Sequence, residues 1–406
     1  MTTIIRAGSA HDFLALVPAL VGYRPARSVL CVAFSGNRTG GVLRHDLPAD
    51  PESADALVST MVGTMCRLAE ADAVVPIVYT DREFAEDGGM PHRELLEAIV
   101  RRAEEAGFLV RDALCVAADA WGSLLDDDLP SGGRELSLVA ESALAARAEE
   151  HGPVADSPAK LARLPEPDPL VSAEIARLLA ELDGPVDGAD EVVECERRRR
   201  AALDELEREL GDGLDPVVAA EQLARGEIAS PAGLAWLVHL LERPLFRDAV
   251  LLQVAFGAVI GELALDSAED AALRARDADA SLEELMRREF DEADAESVDA
   301  FLTRLLLGQA AARPERRRIE RALETLTVAA ANAPVSHRAG ALCVAAWLSW
   351  ALGRGSAAGA LIELALESDA EHGMSQVLAR FFGTGTLPEW AFQPPADTAW
   401  ERRTGQ

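Results

Sequence analysis

Two periods of apolar and polar residues share this chain, and the change from one to the other divides it. Up to about residue 117 the pattern switches repeatedly between runs of period two and runs near 3.6. Residues 9–21 (SAHDFLALVPALV) predict a short helix: Ser9 is a good N-cap, Phe13, Leu14, Leu16, Val17 and Leu20 share one face, and Pro18 limits or kinks it. Gly22 and Pro25 then turn the chain into SVLCVAFS at 28–35, a strand. GNRTGG is expected to loop it back into GVLRHDLP at 41–48, which makes a hairpin. Residues 51–68 predict a helix, 73–80 a buried strand, 91–106 a helix ended by Gly107, and 109–117 a further strand. Strand, helix, strand, helix, strand in this order implies parallel pairing through right-handed crossovers.

Between residues 126 and 212 the Pro/Gly clusters DDDLPSGG, GPVADSP, LPEPDP and DGPVDGAD interrupt short helical pieces, which reads as a partly ordered helical connector. Its last segment, ECERRRRAALDELEREL, has charges spaced for i,i+4 pairing and predicts a solvated helix. From residue 213 to about 395 the helical period dominates in seven successive stripes with short connections, so antiparallel helix hairpins are expected. Residues 396–406 are left as a tail. The fold class is therefore α/β plus all-α: a small mixed-sheet α/β domain at 1–125, the connector, and a helical-hairpin domain.

Composition narrows the function. A formal net charge of −30, spread over both parts of the chain, repels phosphate backbones and anionic lipid, so neither nucleic acid nor membrane is an expected partner. Arg accounts for every basic residue except Lys160, which suggests a GC-rich genome; acid excess with scarce Lys also fits adaptation to high salt. No long apolar span and no signal-peptide pattern occurs, which predicts a cytoplasmic location. The five cysteines and seven histidines are scattered without C-x-x-C or zinc spacing, so they predict inert thiols and no metal site.

Chemistry is expected where ligands bind in open α/β sheets, beyond the carboxyl ends of the strands. Asp81, after VVPIVYT, and Asp119 with Trp121, after RDALCVAA, would share one rim if their strands are neighbours. Two such carboxylates would admit a divalent metal or do acid/base work, or simply start turns. Arg44 and Asp46 flank His45 on the second hairpin strand and share a face, suited to an anion contact or to a cross-strand ion pair. The loop Tyr23–Arg24–Pro25 is placed to close over the same rim. No G-x-S-x-G, P-loop, dinucleotide fingerprint or H-E-x-x-H is present, which disfavours the corresponding enzyme classes. The basic runs at 197–200 and 316–318 have acidic neighbours three or four residues away and are expected to pair within the chain.

Several segments together look familiar. FLALVPALVGYRPARSVL at 13–30, RHDLP at 44–48, VYTD at 78–81, RDALCVAADAWGS at 111–123, FRDAVL at 246–251, and AWLSWALGRGSAAGALIELALESD followed by LARFFGTGTLP resemble an uncharacterised actinobacterial domain-of-unknown-function family. The resemblance implies an α/β part followed by a helical part, and no catalytic residue. Where members of that family often carry a Cys-rich, Pro-rich insertion, this chain reads LLDDDLPSGG without cysteine. Trp347, Gly353, Ala360 and ALESD at 365–369 also look like one tetratricopeptide-type hairpin.

These readings lead to a non-enzymatic, cytoplasmic protein-interaction or regulatory module with a protein partner and no required cofactor. A small anionic ligand would sit at the rim formed by Arg44, Asp46, Asp81, Asp119 and Trp121. The alternative is a metal-assisted enzyme acting on a nucleotide or phosphorylated metabolite.

Overall fold

The computed structural model describes residues 7–68, 70–149, 154–183, 189–277 and 297–393. Two compact units emerge, one up to Leu161, to which Phe392 also belongs, and one from Ala162 to Ala391. The expected connector is divided between them. Its stretches at 150–153 and 184–188, like the tail at 396–406, lie outside the described residues.

The first unit is a mixed sheet with helices on both faces. Its elements in chain order are α1 (Ala10–Val21), β1 (Ser28–Ser35), β2 (Arg38–Asp46), α2 (Pro51–Cys66), β3 (Ala73–Tyr79), α3 (Phe84–Asp87) and α4 (Arg93–Glu105). β4 (Leu109–Val110), β5 (Leu114–Val116), β6 (Ala120–Ser123), β7 (Arg134–Glu135), α5 (Ser137–Ala140) and α6 (Ala143–Glu149) follow. Local chemistry sets the helix ends: the Ser9 hydroxyl accepts from Asp12 N–H to start α1, Gly22 at φ 84° stops it, and Asp50 caps α2 with Pro51 at its first position.

The spatial order is β2-β1-β3-β5-β6-β7, with β4 also against β3. β1 is antiparallel to both β2 and β3, and β3 is parallel to β5. The crossover from β2 through α2 therefore lands one strand away, because β1 fills the place between β2 and β3. Only the second crossover joins adjacent parallel strands. Alternation sends Val29, Cys31, Val74 and Val78 toward α2 and α4, where Met61, Met65, Leu96 and Ile99 cover them. Leu30, Val32, Val75, Ile77 and Trp121 face the opposite way, with Leu14 and Val17 of α1. Burial on both faces explains why β3 is apolar throughout rather than alternating.

Two expectations are corrected. GNRTGG is not a long loop: the ladder runs on to Ser35↔Arg38, leaving Gly36, at φ 52°, and Asn37 as the turn, with an irregularity at Ala33/Phe34. Nor is 109–117 one strand, since it breaks between Val110 and Leu114. The cause lies in its neighbour. Val74 O accepts from Arg111 N–H and Thr80 N–H donates to Val116 O, so the even-numbered residues of β3 turn their backbone toward this side. Pro76 shares that parity and has no N–H to give. It therefore faces the interruption between β4 and β5, where no ladder partner is required.

The second unit is entirely helical among its described residues: α7 (Pro169–Leu182), α8 (Ala189–Leu210), α9 (Pro216–Arg225), α10 (Pro231–Leu241), α11 (Pro244–Phe256), α12 (Ala258–Asp277), α13 (Val298–Leu306), α14 (Arg316–Asn332), α15 (Ala339–Ala351), α16 (Gly355–Ser368) and α17 (Gly373–Gly383). Every residue of α15 is buried, so this helix forms the centre, with α10, α11, α14, α16 and α17 packed around it. The pair α15/α16, expected to form one tetratricopeptide-type unit, is a helix hairpin whose first helix is enclosed. Trp347, Trp350, Trp390 and Phe256 form an aromatic cluster with ring centroids 5.8–6.5 Å apart. The basic runs are paired internally in part: Arg197 and Arg198 bind Glu194, Arg316 binds Glu320, and Arg318 binds Glu221.

Candidate functional site

Because β3 and β5 are parallel neighbours, the turns that follow them open onto one rim. The start of β1 and the end of β2 reach the same level, since Ser28 pairs with both Tyr79 and Asp46. Asp81 follows β3, is exposed, and lies 3.6 Å from the Arg27 guanidinium. Asp119 follows β5 and is occupied: its two oxygens accept the backbone N–H groups of Phe84 (2.9 Å) and Ala85 (3.2 Å). The Phe84 bond, assisted by Ala85, holds the Asp119 carboxyl below the usual carboxylate range.

Arg44 and Asp46 lie on the edge strand β2 and bind each other at 2.5 Å. The Arg44 Nε is buried without a hydrogen-bond partner, as is the hydroxyl of Ser28 on the neighbouring strand. Trp121 is buried, and its indole N–H donates to Glu135 O at 3.1 Å. Its ring belongs to the α1 face and helps line a cavity of about 330 Å3 with Arg111, Asp112, Ser123 and Asp126. The polar groups of that cavity are engaged with partners. Ser123 donates to Asp112 at 2.5 Å, Asp126 binds Arg134, and Arg111 donates to Gly36 O while lying over the Phe34 ring. The structure thus gathers Asp81 and Asp119 at one rim, keeps Arg44 and Asp46 on the outer strand, and turns Trp121 into a separate concavity.

Three rim residues escape a reading of the sequence. Arg27 (φ 44°) and His92 (φ 54°) are the non-glycine residues with positive φ among the described residues, and both sit here. Left-handed backbone at such residues costs about 1–2 kcal/mol each and concentrates where function holds it in place. His92 stands at the N-terminus of α4, whose first turn has no side-chain cap, and shares a hydrogen bond from Nε2 with the Thr80 hydroxyl at 3.2 Å. Burial lowers its pKa, and nearby Arg82 adds to the effect. Arg82 binds Asp87, and its carbonyl accepts from Ala118 N–H at 3.1 Å, which ties the two rim turns together. Neither PARS nor MPHR signals left-handed backbone, because residue type is a weak guide to it outside Gly, even for the moderately favoured His.

Three of the five thiols are buried, and burial pushes Cys31 and Cys115 up to about 12 and Cys343 to about 11; Cys66 is exposed and Cys195 half-buried. In the helical unit, one atom from each of Asp183, Glu242 and His337 lies within 4.8 Å of the others, a grouping invisible in the sequence.

A family model described as a domain of unknown function (DUF4192) matches residues 11–264, more than half of the chain. The chain belongs to the DUF4192 family. The DUF4192 match includes the whole sheet with its rim and cavity and ends within α12, so Asp183 and Glu242 fall inside it and His337 beyond it. No curated protein and no solved structure matches this DUF4192 chain.

Proposed function

We propose that the protein is a non-enzymatic interaction or regulatory module of the actinobacterial cytoplasm, whose α/β unit takes up a small anionic ligand at the carboxyl-end rim of its sheet. The observation that carries this reading is the placement of both strained residues, Arg27 and His92, at that rim beside the uncapped start of α4. Backbone N–H groups at a helix N-terminus favour an anion, and guanidinium groups add planar donors. Arg27 and Arg82 bring such donors, each held by a carboxylate that a stronger anion would displace.

Metal-assisted chemistry finds less support here, because the grouping of metal-capable donors found among the described residues lies in the helical unit and not at the rim. Among the described residues no helix is long and apolar enough to cross a membrane, and the single lysine among 39 basic residues fits a GC-rich coding bias. Contacts with a protein partner fall to the helical unit, where α16 exposes Glu363 and Glu367 on its outer face.

Thermal unfolding with inorganic phosphate, pyrophosphate and ATP tests the ligand reading. A ligand at about 100 times its Kd adds roughly 2.7 kcal/mol to the folded state. The expected result is a rise in Tm with at least one of these anions that disappears in the Arg27→Ala/Arg82→Ala double variant and persists in Arg44→Ala. No shift with any of them, or a shift unchanged in the double variant, overturns it.

A further inference from the structure

Asp183 and Glu242 both occupy helix C-caps, of α7 and α10 respectively. This is an unfavourable place for a carboxylate, because the carboxyl end of a helix carries partial negative charge and attracts cations. His337 reaches the same point from a short 3-10 turn, Val335–His337, that precedes α15. A glycine makes the approach possible. A Cβ built on Gly340 would stand 2.4 Å from the Leu241 carbonyl oxygen and 3.1 Å from Glu242 N, so only a bare backbone lets the start of α15 sit against the end of α10. Two carboxylates and two helix ends therefore converge with an imidazole, and the local field calls for positive charge.

The groups are also held in place. Asp183 accepts from Arg243 at 2.8 Å and contacts His239 Nδ1 at 3.2 Å, and the His239 ring is buried and stacked on Trp236 at 5.2 Å. The bonds to Arg243 and His239 hold the Asp183 carboxylate against the end of α10. His337 Nδ1 lies 2.7 Å from Glu242 Oε1. About a quarter of each side chain is exposed (26%, 24% and 23% for Asp183, Glu242 and His337), enough for an ion to enter and to keep solvent on its open side.

We propose that Asp183, Glu242 and His337 form a binding site for one divalent first-row transition-metal ion, of which Zn2+ is the natural probe. One nitrogen and two carboxylate oxygens make a donor set of intermediate softness, suited to zinc and its neighbours rather than to magnesium or calcium. An ion about 2.0–2.2 Å from each donor would space them roughly 3.0–3.5 Å apart. The existing atoms lie within 4.8 Å of one another, so a modest rearrangement of side chains would bring them to that spacing. Arg243 balances Asp183 when no ion is bound, and His239 orients the carboxylate from behind as an outer partner does in metal sites. Bound metal would join α7, α10 and the turn before α15.

The experiment is calorimetric titration of Zn2+ into the full chain after chelator treatment, with Co2+ absorption as a second reading. Wild type should take up one equivalent. Glu242→Gln and His337→Gln should each weaken uptake roughly tenfold or more, while His92→Gln, in the other unit, should not. Thermal unfolding of the metal-free variants shows whether they remain folded, and Asp183→Asn, which retains hydrogen bonding, provides a third variant if one does not. Absence of stoichiometric uptake, or uptake unchanged in the folded variants, overturns the assignment.

Discussion

Asp119 accepts the backbone N–H of Phe84, 35 positions earlier in the chain, at 2.9 Å. That bond and its companion to Ala85 fasten the turn after β5 to the helix after β3 and shape the rim between them. A carboxylate whose folded pKa lies below its unfolded value stabilises the fold above the unfolded pKa, near 4, and loses that effect as pH falls through the folded one. Wild type should therefore lose stability below about pH 4 more steeply than Asp119→Asn. The variant should also have a lower urea midpoint at neutral pH, and equal midpoints throughout would refute the role.

Arg27 offers a test in the opposite direction. Its backbone is left-handed at φ 44°, and its guanidinium makes only an exposed pair with Asp81. Arg27→Gly should relieve the strain and raise stability by about 1 kcal/mol, the left-handed penalty less the greater chain entropy of glycine. The same variant should bind the rim anion less well. Denaturant unfolding and ligand titration on one preparation show whether stability and affinity move apart.

His92 supplies a pH signature of its own. Its folded pKa lies below the ordinary histidine value because of burial and Arg82, with Asp87 opposing. The unfolded chain therefore binds the proton more readily, and stability should fall as pH drops from about 6.5 through the folded pKa. His92→Asn, which tolerates the left-handed backbone, should flatten the curve in that window. An unchanged profile between pH 5 and 7 would show that His92 does not govern it.

Two helical-unit variants probe packing. Trp347 is fully buried and its indole N–H donates to Leu306 O at 2.8 Å, so Trp347→Ala should cost about 3–5 kcal/mol. Gly340→Ala should cost about 1–3 kcal/mol by overpacking against Leu241. It should also weaken Zn2+ uptake, since it pushes His337 away from Glu242. Chemical denaturation measures both changes.

Much of this fold is visible in the sequence because its signals are local. β1 spans the expected residues, and Ser9, Asp50 and Gly22 mark helix ends through chemistry that acts within three or four positions. The mixed sheet and the helical second part follow from periodicity in the same way. What escaped depends on distance. Pro76 interrupts a strand more than thirty residues later by facing it, an effect seen only when the two are neighbours. Asp81 and Asp119 could be named as rim residues, but not the backbone partners that occupy Asp119. Glu242 and His337, separated by 95 positions, have no spacing to recognise, and scattered histidines argued against any metal site.

The enclosure of α15 has a consequence for biosynthesis. Its thirteen residues, AGALCVAAWLSWA, present no polar face, so outside its surroundings the segment is an adhesive apolar rod. Three of its neighbours, α10, α11 and α14, leave the ribosome before it, and two, α16 and α17, leave after it. A nascent chain can lay this segment into a half-built cradle as it emerges and close the cradle with the last two helices. Premature termination anywhere between Leu352 and Gly373 would leave it uncovered on one side, and such truncated chains should be substrates for chaperones and proteases.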